Sequence, residues 1–367
     1  MKIVHISGDY SKQGLYKCLV EALGDANIEQ EMYVPVRSHS ELGANGSGHK
    51  NVKVQYSKII SPMDKLLFRR KIRKIKNWIS NDTRDWSDTM LHGHFFYSDG
   101  AVALGLHERF GCPFVVTVRN TDINVFNKFR PDLRSIALKI LRAASWVIFP
   151  NFAYKDRFFH ELGIRDTTPY ENKAKVIPNG IDNFWFDDKV VQGAKTKDAE
   201  TVKILFVGDN TKNKNFNLVV RAASFIALSR KVELAVVGRT LKVNIADSLN
   251  LTIVDYGRVD KHKLRELYHA ADVLTVPSFH ETFGLAYIEC LSCGTPAIHS
   301  KGEAIAGYWK AGGPVIEIDP YCEKSLVDGI LQVINRDIDF EVVREKVASD
   351  FTWSNVALRL IKLYRSS

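Results

Sequence analysis

The 367-residue sequence contains no apolar run of the ~18–20 residues that a membrane span requires. Cysteine is scarce: Cys18, Cys112, Cys290, Cys293 and Cys322 form an odd, scattered set that suits a reducing compartment and not a disulfide framework. Cys290 and Cys293 have C-x-x-C spacing, but no second pair completes a zinc site, so packing inside a helix is their favoured role. The opening MKIVHISGDY lacks the charged-apolar-small progression of a signal peptide and is expected to form a buried strand. The G-x-G-x-x-G dinucleotide fingerprint is missing after either candidate first strand, where SGDYSKQG and GDNTKNKN stand instead. Residues 43–50, GANGSGHK, place His49 where a phosphate loop needs lysine, and they read as a polar surface loop. Internal repeats and low-complexity segments are also absent.

What is present is a globular composition, 45% hydrophobic and 25% charged, in a chain long enough for two domains of roughly 150–200 residues. Net charge is +9, from 51 basic minus 42 acidic residues, which points to an anionic partner. Residues 65–76, KLLFRRKIRKIK, carry seven of those cations (Lys65, Arg69, Arg70, Lys71, Arg73, Lys74, Lys76). Phe68, Ile72, Ile75 and Ile79 recur there at helical spacing. Two readings stand: a basic amphipathic helix on an anionic membrane surface, or a solvated helix whose apolar stripe faces the core. Nucleic acid is disfavoured, because the single aromatic of the run, Phe68, sits on its apolar face.

Apolar strand candidates alternate with helical patterns throughout, which argues for parallel α/β units. The expected strands are 2–7, 31–35, 52–56, 90–94, 113–118, 146–150 and 175–178, then 203–207, 233–237, 251–254, 273–276, 296–299 and 314–318. A polar segment at 189–201 separates the two series. His92 and His94 alternate along one strand and so face one side, but no third metal ligand has suitable spacing. His94 either lines an interdomain cleft or is a hydrogen-bonded strand residue, and His5 is expected to be packed and satisfied.

Residues 277–298, PSFHETFGLAYIECLSCGTPAI, read as strand end, loop and helix, the helix from about 283 to 293. The free N–H groups and positive dipole end of such a helix start suit a phosphate. Glu281 and Glu289 lie on either side; on a continuous helix they would be ~12 Å apart along the axis, enough to meet the two ends of an extended ligand. Simple dipole stabilisation by Glu281 and close packing at Gly284 explain the same residues equally well one at a time.

This segment resembles the signature of retaining glycosyltransferases of family 4, which have the GT-B fold. VIPNGID (176–182) resembles the close of that family's N-terminal domain, and ILFVGDNTKNKNFNLVVRA (204–222) its nucleotide-binding strand and phosphate loop. FTWSNVALRLIKLY (351–364) resembles the helix that returns to the first domain. The resemblance implies two Rossmann-like doubly wound domains facing across a cleft. An acceptor-binding domain would span 1–185 plus 352–367, and a nucleotide-sugar domain 186–351.

The resemblance further implies that Glu289 binds the donor ribose and Glu281 sits beside the transferred sugar. Backbone N–H groups of Phe283, Gly284 and Leu285 would hold the diphosphate or sugar, and Lys214 would offset charge on the departing phosphate. Gly14 would let the backbone approach the ligands. Two positions depart from the family pattern. Asp209 replaces the usual arginine after the phosphate-loop glycine, so either Lys212 substitutes or the leaving group is held by Lys214 and backbone alone. Arg119 stands where many members have histidine; being permanently charged it cannot serve as a base, but it can hydrogen-bond the sugar or phosphate. Asp122, three residues on, is either a companion of Arg119 or a cap.

The implied partners are a nucleotide diphosphate sugar and a carbohydrate or lipid-linked acceptor, with no cofactor and no metal. The implied setting is polysaccharide or glycoconjugate biosynthesis in the cytoplasm, with the basic helix a point of contact with the inner membrane face. A nucleotide-sugar epimerase or hydrolase on the same fold, and a non-enzymatic nucleotide-sugar or nucleic-acid binder, are the rival classes.

Overall fold

Among the described residues thirteen strands form where apolar runs occur, their ends within two residues of those expected. The computed structural model describes residues 1–82, 85–186, 200–239 and 250–367, so the polar segment 189–201 lies outside them up to residue 199. The described chain divides into two units, Met1–Gly180 with Trp353–Ser367, and Ile181–Thr352. The expected division at 185/186 falls a few residues late. Ile181 donates its N–H to Phe351 O at 2.7 Å, and Trp185 packs edge-on to Tyr268, so both belong with the second unit.

The first unit's sheet is wholly parallel, ordered β3-β2-β1-β4-β5-β6-β7. Its strands are β1 (Lys2–Ile6), β2 (Gln30–Pro35), β3 (Val52–Ser57), β4 (Thr89–Gly93), β5 (Phe114–Thr117), β6 (Trp146–Phe149) and β7 (Ala174–Val176). Its helices are α1 (Gly14–Asp25), α2 (Phe68–Ser80), α3 (Ser98–Phe110), α4 (Arg134–Ala143), α5 (Phe152–Glu161) and the short α6 (Thr168–Glu171). Helices on both faces bury the central strands completely, which is why those strands read as continuous apolar runs and do not alternate. In α1, Tyr16, Leu19, Val20 and Leu23 recur at i, i+3, i+4 and i+7 and all are buried.

The second unit's sheet is also parallel, ordered β10-β9-β8-β11-β12-β13. Its strands are β8 (Thr201–Val207), β9 (Lys231–Val237), β10 (Leu251–Asp255), β11 (Val273–Val276), β12 (Ala297–Ser300) and β13 (Val315–Ile318). Its helices are α7 (Phe216–Ile226), α8 (Lys261–Ala270), α9 (Leu285–Ser292), α10 (Glu323–Ile334) and α11 (Phe340–Phe351). The chain's last helix, α12 (Trp353–Arg365), rejoins the first unit as expected. Val356, Ala357, Leu360, Ile361 and Tyr364 pack there on Ile3, Leu19 and Leu23. Gly180 is required beneath it: a Cβ there would lie 2.4 Å from Trp353 Cδ2.

In both sheets the strand order reverses beside the first strand, between β1 and β4 and between β8 and β11. Loops at such a switch point, beyond the carboxyl ends of the strands, form the natural ligand crevice of a doubly wound sheet.

The basic run forms α2, and its apolar stripe is used internally. Phe68, Ile75 and Ile79 are buried in the first unit's core, the two isoleucines contributing roughly 1.5–3 kcal/mol each by burial. Lys74 is likewise committed, its Nζ 2.8 Å from the buried carboxylate of Asp64. The stripe is therefore not a membrane-inserting face. Cys290 and Cys293 pack in the second unit's core as free thiols, Cys290 Sγ donating to Thr295 O at 3.3 Å.

Candidate active site

At the second unit's switch point the loops after β8, β11 and β12 are laced together. Gly208 takes φ +150°, and the chain then makes a short 3-10 turn at Lys212–Lys214. The Asn213 side chain clamps the loop after β11: its Nδ2 donates to His280 O at 2.9 Å, and its Oδ1 accepts the His280 N–H at 3.1 Å. From the third loop, Glu303 Oε2 accepts the Glu281 N–H at 2.7 Å, while Ala304 N–H donates to Glu281 O at 2.7 Å. Glu281 is thus fixed through its backbone on both sides. Its Oε2 stands 2.5 Å from Lys214 Nζ, so the two expected charged residues form one ion pair, each about a quarter exposed or less.

Helix α9 begins at Leu285, two residues later than expected. Gly284 occupies the cap in the left-handed region (φ +69°), where a Cβ would approach Tyr287 Cε2 to 2.5 Å. The loop conformation at Glu281 means that the helical rise does not set its separation from Glu289. The N–H groups of Phe283, Gly284 and Leu285 have no acceptor among the described residues, as an anion-binding helix start requires. Glu289, one turn into α9, accepts a hydrogen bond from Tyr268 Oη at 3.1 Å. Burial raises its carboxyl to about 7, against that hydroxyl's stabilisation of the anion.

Asp209 is turned away from phosphate binding in this conformation. It accepts the Arg239 N–H at 2.9 Å and a guanidinium N–H of Arg258 at 3.1 Å. Lys212 is exposed on the same turn, and Lys214 is the cation placed beside Glu281.

In the first unit, Gly14 opens α1 with open space around its Cα, so no steric demand for glycine is visible there. Arg119, just beyond β5, lies over the Tyr16 ring of α1 at 5.5 Å and donates to Asn179 Oδ1 at 2.9 Å. Asp122 is fully buried. Its carboxylate accepts the N–H groups of Phe96 and Tyr97, which precede α3, and that of Arg119. It caps a helix entry and orients the Arg119 backbone in one arrangement, although burial raises its carboxyl to about 6.

The third imidazole missing from the spacing of His92 and His94 comes from the neighbouring strand. β1 pairs with β4 in a register that sets His5 beside His92, and ring nitrogens of His5, His92 and His94 lie within 4.8 Å of one another. Hydrogen bonds fix the tautomers of His5 and His94. Gln30 donates through Nε2 to Val20 O and Ile28 O, so its Oε1 must accept from His5 Nε2. His5 Nδ1 therefore accepts from His94 Nε2 at 3.0 Å. His92 spans Tyr364 Oη and Thr117 Oγ1. The cluster is thus a neutral network, with burial holding His5 down at about 4. His94 is a buried, hydrogen-bonded residue.

Lys214 and Glu281 are brought together in the second unit, which also holds the 283–285 amides and Glu289, and Arg119 and Gly14 lie in the first. Asn213, Glu303 and Tyr268, which hold the carboxylates in place, carry no sequence signal beyond proximity or residue type.

Family models for glycosyl transferases group 1 and for glycosyltransferase family 4 match residues 188–348 and 17–183 of the chain. An uncharacterized glycosyltransferase of Methanocaldococcus jannaschii is 26% identical over 212 residues, 53% of this chain. The chain spans 54% of that relative's length. D-inositol 3-phosphate glycosyltransferase 2 of Catenulispora acidiphila is 26% identical over 307 residues, 76% of this chain and 70% of its own. Among solved structures, HepE of Anabaena in complex with UDP and glucose matches with TM-score 0.69 and 16% identity over 100% of both chains, a likeness of fold.

Proposed function

The chain belongs to the family 4 glycosyltransferases of GT-B fold, and from that premise we propose that it moves a sugar from a nucleotide diphosphate sugar to a saccharide or lipid-linked acceptor with retention of configuration. The observation that carries the donor reading is the switch-point arrangement of Lys214 paired with Glu281, beside the unpartnered amides of residues 283–285. The related fold of HepE was obtained with UDP and glucose, which supports a nucleotide sugar as donor.

In this reading Glu289 accepts ribose hydroxyls and the 283–285 amides take the diphosphate. Lys214 exchanges part of its pairing with Glu281 for the leaving phosphate, stabilising charge that grows in the transition state. Glu281 then turns its freed lone pairs to the sugar hydroxyls. Arg119 hydrogen-bonds sugar or phosphate as a fixed cation. The leaving phosphate itself takes the acceptor's proton, since neither Glu281 in its ion pair nor Arg119 offers a free base.

The pathway reading is polysaccharide or glycoconjugate biosynthesis in the cytoplasm. A peripheral membrane contact is supported by the exposed Met63, Leu66 and Leu67 beside the outward cations Arg69 and Arg70 of α2, and not by the helix's buried stripe. No helix among the described residues is long and apolar enough to cross a membrane.

The test is a thermal-shift screen of nucleotide sugars followed by assay of nucleoside diphosphate release with and without acceptors. A donor at 100 times its dissociation constant stabilises by ~2.7 kcal/mol, which is readily visible. Acceptor-dependent release, with the donor's anomeric configuration kept in the product by NMR, is the expected result. Conversion of donor alone at the full rate would instead indicate an epimerase or hydrolase.

A further inference from the structure

Beyond the carboxyl ends of β1 and β2, the first unit holds a cavity of about 220 Å³ lined by Asp9, Lys12, Arg37, Lys71, Ser98 and Asp99, among others. Its charges are unevenly satisfied. Lys12 lies 3.4 Å from Asp9, and Glu41 Oε2 is taken up by the Arg37 N–H at 2.9 Å. The Lys71 ammonium and the Arg37 guanidinium have no ion-pair partner within 4.0 Å among the described residues. Asp99 is 1% exposed; its Oδ1 accepts from Ser98 Oγ at 3.0 Å, but its Oδ2 is buried without a partner.

An unpaired buried carboxyl oxygen costs desolvation energy with nothing returned, and a cation lining the same cavity has not closed on it. The two groups bear the mark of that isolation. Burial raises the Asp99 carboxyl to about 8 and lowers the Lys71 ammonium, although each opposes the other's shift. A ligand that placed an anion against Lys71 and a hydroxyl against Asp99 Oδ2 would satisfy both. A neutral polyol would satisfy only the carboxyl and leave the Lys71 ammonium without a counter-charge.

We propose that this cavity is the acceptor subsite and that the acceptor is a polyol bearing a phosphate or carboxylate, its anion held by Lys71 and Arg37 and one hydroxyl hydrogen-bonded to Asp99 Oδ2. The assignment rests on the glycosyltransferase reading, with the acceptor bound by the first unit. It selects acidic acceptors over neutral sugars of the same size.

Calorimetric titration of the full chain with glucose 6-phosphate, glucuronate and glucose tests it, with a panel of nucleoside diphosphates titrated in parallel. At least one anionic probe is expected to bind and glucose to show no binding, and the better anion distinguishes phosphate from carboxylate recognition. Lys71→Met is expected to weaken the anionic probe by about tenfold or more, the scale of a lost charge-assisted hydrogen bond, and Arg37→Ala by less. Asp99→Asn, whose neutral amide keeps a hydrogen-bonding group of the same shape, is expected to keep binding that Asp99→Leu loses. Unchanged nucleoside diphosphate affinity in each variant shows that the fold is intact. A chain that binds a nucleoside diphosphate but neither anionic probe, or that binds glucose as tightly as glucose 6-phosphate, overturns the subsite and leaves the donor reading standing. Absence of binding by every nucleoside diphosphate would overturn the donor reading and the acceptor assignment with it.

Discussion

Each unit sets a lysine and a carboxyl group at its switch point, but in opposite states. In the second unit Lys214 and Glu281 have closed to 2.5 Å, partly exposed, with Glu281 pinned at its N–H by Glu303 and at its carbonyl by Ala304. In the first, Lys71 and Asp99 line one cavity without closing. A closed, partly solvated pair is worth little to stability and exchanges readily with a ligand's charges. An open pair whose carboxyl is buried is completed by the ligand. In the proposed reading the second unit therefore keeps a charged cation ready for a departing phosphate, whereas the first leaves its charge to be balanced by what it binds.

Removing the cation of the closed pair breaks this comparison most severely. Lys214→Ala is expected to lower turnover by about 10²–10³-fold, the range for losing an electrostatic stabiliser, with a smaller change in donor affinity. Equal losses in both, measured by steady-state kinetics and titration, would assign Lys214 to ground-state binding.

The next effect concerns the first unit's neutral histidine network. His5 is held at about 4 against an ordinary 6.5, so the unfolded chain binds the proton first as pH falls. Its stability contribution is present in full above pH 6.5 and is lost between about 6.5 and 4. That loss is at most about 3 kcal/mol, visible in urea melts across the window. His5→Gln should reduce the dependence and leave the part that His92 and His94, also held down by burial, contribute.

Gly284→Ala should cost about 1–3 kcal/mol, since the residue sits at φ +69° with Tyr287 in the way of a Cβ. Gly14→Ala, placed in open space, should leave the melting temperature nearly unchanged. A large loss at Gly14 would show a steric role that its surroundings do not.

A subtler change lies in pH. Ribose hydroxyls are best accepted by an ionised Glu289, whose carboxyl burial holds near 7. Donor affinity should therefore rise as pH increases from about 6 to 8. Glu289→Gln should bind more weakly and without that slope.

Much of the candidate donor side was legible because its residues are contiguous: Glu281, Gly284 and Glu289 lie in one strand-loop-helix segment, and parallel buried strands announce themselves as apolar runs. The helix start was placed two residues early because Gly284's left-handed cap is a property of the folded loop. The His5–His94 bond joins residues 89 apart in sequence, made neighbours by the β1–β4 register, which spacing cannot reveal. Asp99 and Lys71 escaped notice for the same reason: one hid in an ordinary helix start and the other in a run of look-alike cations. Asp209 stood out as a departure, but its explanation needed Arg258, 49 residues away.

The most direct test is calorimetric titration of a nucleotide diphosphate sugar panel into the wild-type chain and Glu289→Ala. At least one donor should bind the wild type, with affinity reduced about tenfold or more in the variant, as expected when hydroxyl contacts to a charged acceptor are removed. Equal affinity of both proteins for every donor that binds would contradict the placement of the nucleotide sugar at this site.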